Sequence, residues 1–248
     1  MINLKGKVAI VTGGARGLGR LFCEGFAREK AKVISADLLG SEETVESVRA
    51  LGSEGEYVQI DITSRADTEK MAKFAMDKFG RIDILVNNAA LYYGVQRKAF
   101  NEISDQEWDK MMAVNIKGTW LATVAVFPFM KEAGKGKIVN LASEVFFTGS
   151  QGFVHYVATK GAVVGLTRAL AIELGQHNIC VNAVAPGFTD TEASRTIADT
   201  TKYDTSKTPL KRIGMPEDIV GATIFLSSDA SDFITGQTIL VDGGRAMH

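Results

Sequence analysis

Cysteine is scarce. Cys23 and Cys180 are the only two in 248 residues. Two lone thiols give neither a disulfide framework nor the paired spacing of a metal site, and they suit a reducing compartment. Both read as small core residues. No excess of either charge sign exists, since the formal net charge is -1. Lys and Arg are spread along the chain, which removes the electrostatic case for nucleic acid or an anionic membrane surface. Long hydrophobic runs are missing too. The longest, "WLATVAVFPFM" from Trp120, is about half of what a membrane span needs. The opening "MINLKGKVAIVTGG" runs straight into a glycine loop, so no signal peptide is expected. There is no internal repeat, low-complexity tract or linker. The expectation is one soluble, cytoplasmic domain over residues 1–248 without a metal.

What is present is alternation. "KVAIVT" (Lys7 to Thr12), "KVISAD" ending at Asp37, "EYVQIDI", "IDILVNNAA", "GKIVNLAS", "ICVNAVAPG" and "TGQTILVDGG" read as seven strands. Longer amphipathic stretches separate them. "MAKFAMDKF", for instance, keeps Met71, Phe74 and Ala75 on one stripe at helical spacing. Strand, helix, strand throughout implies βαβ crossovers. The fold class is therefore α/β, a doubly wound parallel sheet with helices on both faces. Such sheets bind ligands at the carboxyl ends of their strands. One polar excursion, residues 189–210, follows the sixth strand and reads as a substrate lid.

"TGGARGLG" lies between the first strand and the first helix, with Gly13, Gly17 and Gly19 at its turns and Leu18 between the last two. Glycines there let backbone approach a ligand, and the helix start aims N–H groups at an anion, typically a pyrophosphate. Asp37 ends the second strand 24 residues beyond Gly13. A carboxylate at that place accepts from ribose hydroxyls and repels a 2′-phosphate, which predicts NAD over NADP. Arg16 argues the other way, because a loop cation attracts a 2′-phosphate. Further on, Tyr156 and Lys160 stand four residues apart, on one face of a helix. Alone, such a pair is either a surface contact or a tuned phenol.

Taken together and in order, these motifs resemble the short-chain dehydrogenases/reductases over essentially the whole chain. The motifs are "TGGARGLG", "NNAA" from Asn87, Asn115 in "VNIKG", and Ser143 thirteen residues before Tyr156. "YVATK", Pro186–Gly187 and "DGG" complete them. The resemblance implies a Rossmann-like domain, a homotetramer with "VDGGRAMH" near a subunit interface, and a catalytic set of Asn115, Ser143, Tyr156 and Lys160. Tyr156 would exchange the hydroxyl proton, its pKa brought down from ~10 by the Lys160 ammonium and the nicotinamide charge. Ser143 would hold the substrate oxygen, and Asn115 a water leading to Lys160. Asp61 and Ile62 would bracket the adenine, Asn88 and Ala89 follow the cofactor ribose, and Pro186, Gly187 and Thr191 reach the nicotinamide. One departure stands out: the family's NNAG reads NNAA here, and the methyl of Ala90 narrows that path.

Substrate residues are read from loops beyond strand ends: Tyr92, Tyr93, Val145, Phe146, Phe153 and Phe188, besides Ser143 and Tyr156. They suggest an apolar, ring-accommodating pocket. Glu144 is expected to face solvent or backbone, and His155 to play a structural part. No G-x-S-x-G elbow surrounds Ser143, which excludes a hydrolase. The expectation is an NAD-dependent oxidoreductase of secondary alcohols and ketones. The alternatives are an NADPH-dependent 3-oxoacyl carrier-protein reductase and a non-catalytic NAD sensor.

Overall fold

Residues 2–247 are described by a computed structural model. The β-branched runs form seven strands: β1 (Val8–Thr12), β2 (Lys32–Asp37), β3 (Gly55–Gln59), β4 (Ile84–Asn87), β5 (Gly136–Leu141), β6 (Ile179–Pro186) and β7 (Thr238–Val241). They pair in parallel in the order β3-β2-β1-β4-β5-β6-β7. The order reverses between β1 and β4, and there the carboxyl ends diverge to open a crevice. The third strand is shorter than the expected "EYVQIDI". Ile60–Asp61–Ile62 leave the sheet because the Asp61 N–H is taken by the Asp67 carboxylate at 2.8 Å.

The helices are α1 (Gly17–Arg28), α2 (Glu42–Ala50), α3 (Arg65–Phe79), α4 (Asp105–Met112), α5 (Thr119–Ala133), α6 (Val145–Thr148), α7 (Val154–Gly175), α8 (Glu192–Arg195) and α9 (Pro216–Leu226). Phe22 and Phe26 of α1, Val48 of α2, and Ile219 and Ile224 of α9 bury one sheet face against Val11, Val33, Val86 and Val184. Met71 and Ala75 of α3, Val126 and Met130 of α5, and Leu174 of α7 bury the other against Ile10, Ile34, Leu85 and Ile138. Sequence ends these helices where expected. Ser64 caps α3 through the Asp67 N–H, and Gly80 closes it in the left-handed region.

A π-helical stretch, Ala113–Gly118, joins α4 and α5. The run Asp105–Ala133 is thus helical for 29 residues, and an 18-residue stretch within it, at a mean hydropathy of 1.2, makes it long and apolar enough by composition to cross a membrane. This is longer than the short apolar stretch seen in the sequence. Its apolar residues, however, pack against α3 and the sheet, the placement of a core helix.

Candidate active site

The carboxyl ends of β1, β2, β4, β5 and β6 surround one cleft of about 1010 Å³. The glycine loop is its floor. Gly13 has φ +67°, and a Cβ there would lie 2.8 Å from the Ala89 Cα. At Gly19 a Cβ would lie 1.9 Å from the Gly13 carbonyl oxygen. No side chain caps α1, and its first turn carries no acid. Its free N–H groups therefore face the cleft beside Gly17 and Leu18 with their positive character uncancelled. A dinucleotide pyrophosphate fits this backbone cradle.

Asp37 is fixed from two sides. Its Oδ2 accepts from the Ala15 N–H at 3.0 Å and its Oδ1 from the Leu39 N–H at 2.9 Å. The carboxylate is held at the lip of the cleft, between the loop and the exposed Leu38 and Leu39. Arg16 takes another direction. Its guanidinium lies 4.1 Å over the Tyr93 ring, and the Tyr93 hydroxyl donates to Glu192 at 3.2 Å. Asp61 and Ile62 line the same end, with Asp61 Oδ1 held by Thr63.

Two expected cofactor residues have their side chains engaged elsewhere, and a third its backbone N–H. The Asn88 amide donates to the Thr12 and Gly13 carbonyls, both at 3.0 Å, stapling β4 to the glycine loop. Thr191 caps α8 by accepting from the Ser194 N–H at 3.0 Å. The Ala89 N–H is held by Thr12 Oγ1 at 3.1 Å. Ala90 keeps an ordinary backbone conformation, so its methyl strains nothing. Pro186 and Gly187 stand at the cleft wall after β6.

Ser143, Tyr156 and Lys160 meet deeper in. Ser143, just past β5, lines the cleft beside Tyr156, with its Oγ donating to the Pro186 carbonyl at 3.5 Å. Lys160 sits one turn along α7 with Nζ 5.5 Å from the Tyr156 ring centroid, donating to the Leu141 carbonyl at 2.6 Å. Burial holds the Lys160 ammonium down to about 8. The phenol differs from the sequence expectation. Burial, with the neighbouring Tyr92 and Glu144, pushes the Tyr156 pKa up, and Ser143 opposes this only in part. Lys160 alone does not offset this, because burial disfavours its own charged form.

Asn115 has a structural part beside the role the resemblance implies. It lies in the π-helical stretch, buried. Its Oδ1 accepts from the Leu91 N–H at 2.7 Å while Nδ2 donates to Thr159 Oγ1 at 3.2 Å. The side chain ties the post-β4 loop to α7 and makes no hydrogen bond to Lys160 among the described residues.

The wall beyond Tyr156 holds Val145, Phe153, Tyr92 and Phe188 as expected, with Tyr93 at the rim. Tyr92 and Phe153 stand 5.1 and 5.8 Å from the Tyr156 ring. Phe146 does not belong there. It turns out of the cleft onto Gly161 of α7, beside Phe147 at 5.0 Å, because the short α6 rotates alternate residues away. Glu144 reverses its expectation. It is buried on the cleft wall, where Thr148 Oγ1 donates to it at 2.6 Å and burial holds its carboxyl pKa up. His155 is buried on the far side of α7, near Phe153. Residues 189–210 roof the cleft with Thr191, Ser194, Tyr203 and Lys207. Sequence reasoning missed Arg97, Tyr203, Lys207 and Arg245, which carry no motif. Among the described residues no group of three His, Cys, Asp or Glu side chains could hold a metal ion.

A family model described as enoyl-(acyl carrier protein) reductase matches residues 13–246, and it is a model of the short-chain dehydrogenase/reductase family. The chain is a short-chain dehydrogenase/reductase. It is similar to a 2-dehydro-3-deoxy-D-gluconate 5-dehydrogenase of Dickeya dadantii, 38% identical over 98% of this chain and 96% of that one. It is similar also to a 3-oxoacyl-(acyl-carrier-protein) reductase of Thermotoga maritima, 38% identical over 98% and 99%. Among solved structures it resembles a 7α-hydroxysteroid dehydrogenase complexed with NADH and 7-oxo glycochenodeoxycholic acid. That likeness has a TM-score of 0.92 and 32% identity, over 98% and 95% of the two chains. This short-chain dehydrogenase/reductase is therefore an oxidoreductase of alcohol and keto substrates that uses a nicotinamide cofactor.

Proposed function

We propose that the enzyme interconverts a secondary alcohol and its ketone with NAD, on a substrate with a ring or apolar body. The observation that carries this is the Tyr156 phenol, beside Ser143 and one turn from Lys160, lining the same cleft as the glycine loop. A bound nicotinamide accepts or supplies the hydride. Tyr156 takes the proton at its phenolic oxygen in oxidation and returns it in reduction. Ser143 Oγ donates to the substrate oxygen and holds it against the phenol. Lys160 supplies positive charge to the phenolate and a donor to the cofactor ribose. Asn115 braces the loop at Leu91 against α7, keeping Tyr156 in place.

Asp37 supports NAD, since both its oxygens are oriented by backbone N–H groups where ribose hydroxyls would lie. A 2′-phosphate there meets like charge. A second reading, NADPH-dependent reduction of 3-oxoacyl carrier-protein substrates, draws on Arg16, whose guanidinium lines the same cleft. Secondary alcohols assayed with NAD and with NADP separate the two. Turnover of cyclic or aryl alcohols with NAD supports the first, and preference for 3-hydroxyacyl thioesters with NADP replaces it by the second. We further propose a cytoplasmic homotetramer, with residues 189–210 ordering over the substrate. β7 is a sheet edge, and Ile172 and Phe233 are large apolar side chains left in water.

A further inference from the structure

The substrate end of the cleft is lined by three cations, Arg97, Lys207 and Arg245. Several other arginines are paired with carboxylates, as at Arg20, Arg49, Arg81, Arg195 and Arg212. Among the described residues Arg97, Lys207 and Arg245 have no such partner. Two of them are nevertheless held in place. The Arg97 guanidinium lies 4.3 Å over the Phe153 ring, and that of Arg245 5.3 Å over the Tyr203 ring. Tyr203 is stacked in turn on Phe188 at 4.3 Å.

Their hydrogen bonds leave most of the fork unspent. Arg97 Nη1 donates to Ser150 Oγ and to the Gln151 carbonyl, and Arg245 Nη1 donates to the Asp204 carbonyl. A guanidinium has five N–H groups, so Nε and Nη2 of both arginines remain available. The two come from distant parts of the chain to line the same cleft, Arg97 on Phe153 and Arg245 on Tyr203. The carboxylates nearby do not cancel them. Glu144 is buried and held by Thr148. Asp204 is exposed and receives the Ser206 N–H. Neither is within ion-pair distance of Arg97, Lys207 or Arg245.

Unpaired, stacked guanidiniums in a cleft form a preorganised receptor for a planar anion, which arginine binds through two parallel hydrogen bonds. Phe153, the platform for Arg97, is 5.8 Å from the Tyr156 ring. Arg97 is thus linked to Tyr156 through one intervening ring, in the cleft that Arg245 also lines. Resting on the proposed hydride transfer, we infer that the substrate is a hydroxy acid or oxo acid whose carboxylate is held by Arg97 and Arg245, with Lys207 adding field at the rim.

The test separates binding from turnover. Cyclohexanecarboxylate and cyclohexanecarboxamide are titrated calorimetrically into the enzyme with NADH, and coenzyme A serves as a phosphate-bearing probe. The expected result is carboxylate binding tighter than amide by at least about tenfold, weakening as salt is added. The ratio should move toward one in Arg97→Gln and Arg245→Gln and be largely kept in Arg97→Lys. Coenzyme A should bind more weakly than the carboxylate. Equal binding of acid and amide by the unmodified enzyme, or an undiminished ratio in both glutamine variants, overturns the inference. So does tighter, Arg97-dependent binding of coenzyme A, which would assign the receptor to the phosphates of a thioester carrier. Oxidation of 3-hydroxycyclohexanecarboxylate and its methyl ester is then compared. If neither is oxidised while the probe ratio holds, hydride transfer fails and the anion receptor stands.

Discussion

At the scale of single residues, burial governs the chemistry. Burial keeps Tyr156 protonated at neutral pH, the form that donates to a ketone, and makes the phenolate that takes a proton from an alcohol scarce. Oxidation should accelerate as pH rises through the alkaline range, and reduction should be favoured toward neutrality; initial rates in both directions against pH check this. Tyr156→Phe should lower turnover by about 10²–10⁴-fold with NADH still bound, read by cofactor fluorescence. A sensor without chemistry would show no such loss. Asp37→Ser should shift the NAD-to-NADP ratio of kcat/KM by about tenfold or more toward NADP, because a charged acceptor for the ribose is lost.

Lys160 links function to stability. Its folded pKa of about 8 lies below the ordinary lysine value of 10.5. Between those values the unfolded chain holds more protons, so stability rises with pH through that window. Below it, keeping the buried ammonium charged costs on the order of 3 kcal/mol. Lys160→Met should therefore be inactive yet more stable at pH 7, by about 1–2 kcal/mol after the Leu141 carbonyl loses its donor. The difference should shrink as pH approaches 10. Thermal melts of both proteins at neutral and alkaline pH decide it.

At the scale of elements, the glycine loop and the strand ends that grip it behave as one unit. Thr12 Oγ1 receives the Asn88 and Ala89 N–H groups, and the Asn88 amide answers to the loop carbonyls. Gly19→Ala drives a methyl onto the Gly13 carbonyl, so relief must come from backbone movement. It should cost about 1–3 kcal/mol and abolish cofactor binding, measured by denaturant melts and NADH titration. Element identity was legible in sequence because period and punctuation are local: alternating β-branched runs, glycines at turns, Tyr156 and Lys160 on one face. The tasks of Asn88 and Asn115 were not, because their partners are brought in by distant elements: the Thr12 and Gly13 carbonyls for Asn88, the Leu91 N–H and the Thr159 hydroxyl of α7 for Asn115. Glu144 and Phe146 were misjudged together. Which of two successive residues faces the cleft depends on how α6 turns, and a four-residue helix leaves no periodic trace.

At the scale of the whole molecule, the parallel sheet orders every strand end toward one crevice, so residues distant in sequence act on one substrate. The pattern of strands foretold that gathering. It gave no sign that Arg97, from the loop after β4, and Arg245, near the end of the chain, would line the same cleft. Assembly adds to this. An open β7 edge with Ile172 and Phe233 in water predicts a particle near four times the chain's 26.7 kDa. Light scattering on a sizing column measures it, and a 26.7 kDa particle at working concentration would remove the tetramer.

The contact of Arg16 with Tyr93, and of Tyr93 with Glu192, spans the cleft from the phosphate loop to the lid. The floor must then be filled before the roof, and emptied after it. Steady-state kinetics should accordingly show compulsory order, with dinucleotide first in and last out. Oxidised and reduced cofactor should compete with each other, while the ketone product inhibits noncompetitively against both cofactor and alcohol. Competition between ketone and cofactor would instead mean that the bridge opens independently at its two ends.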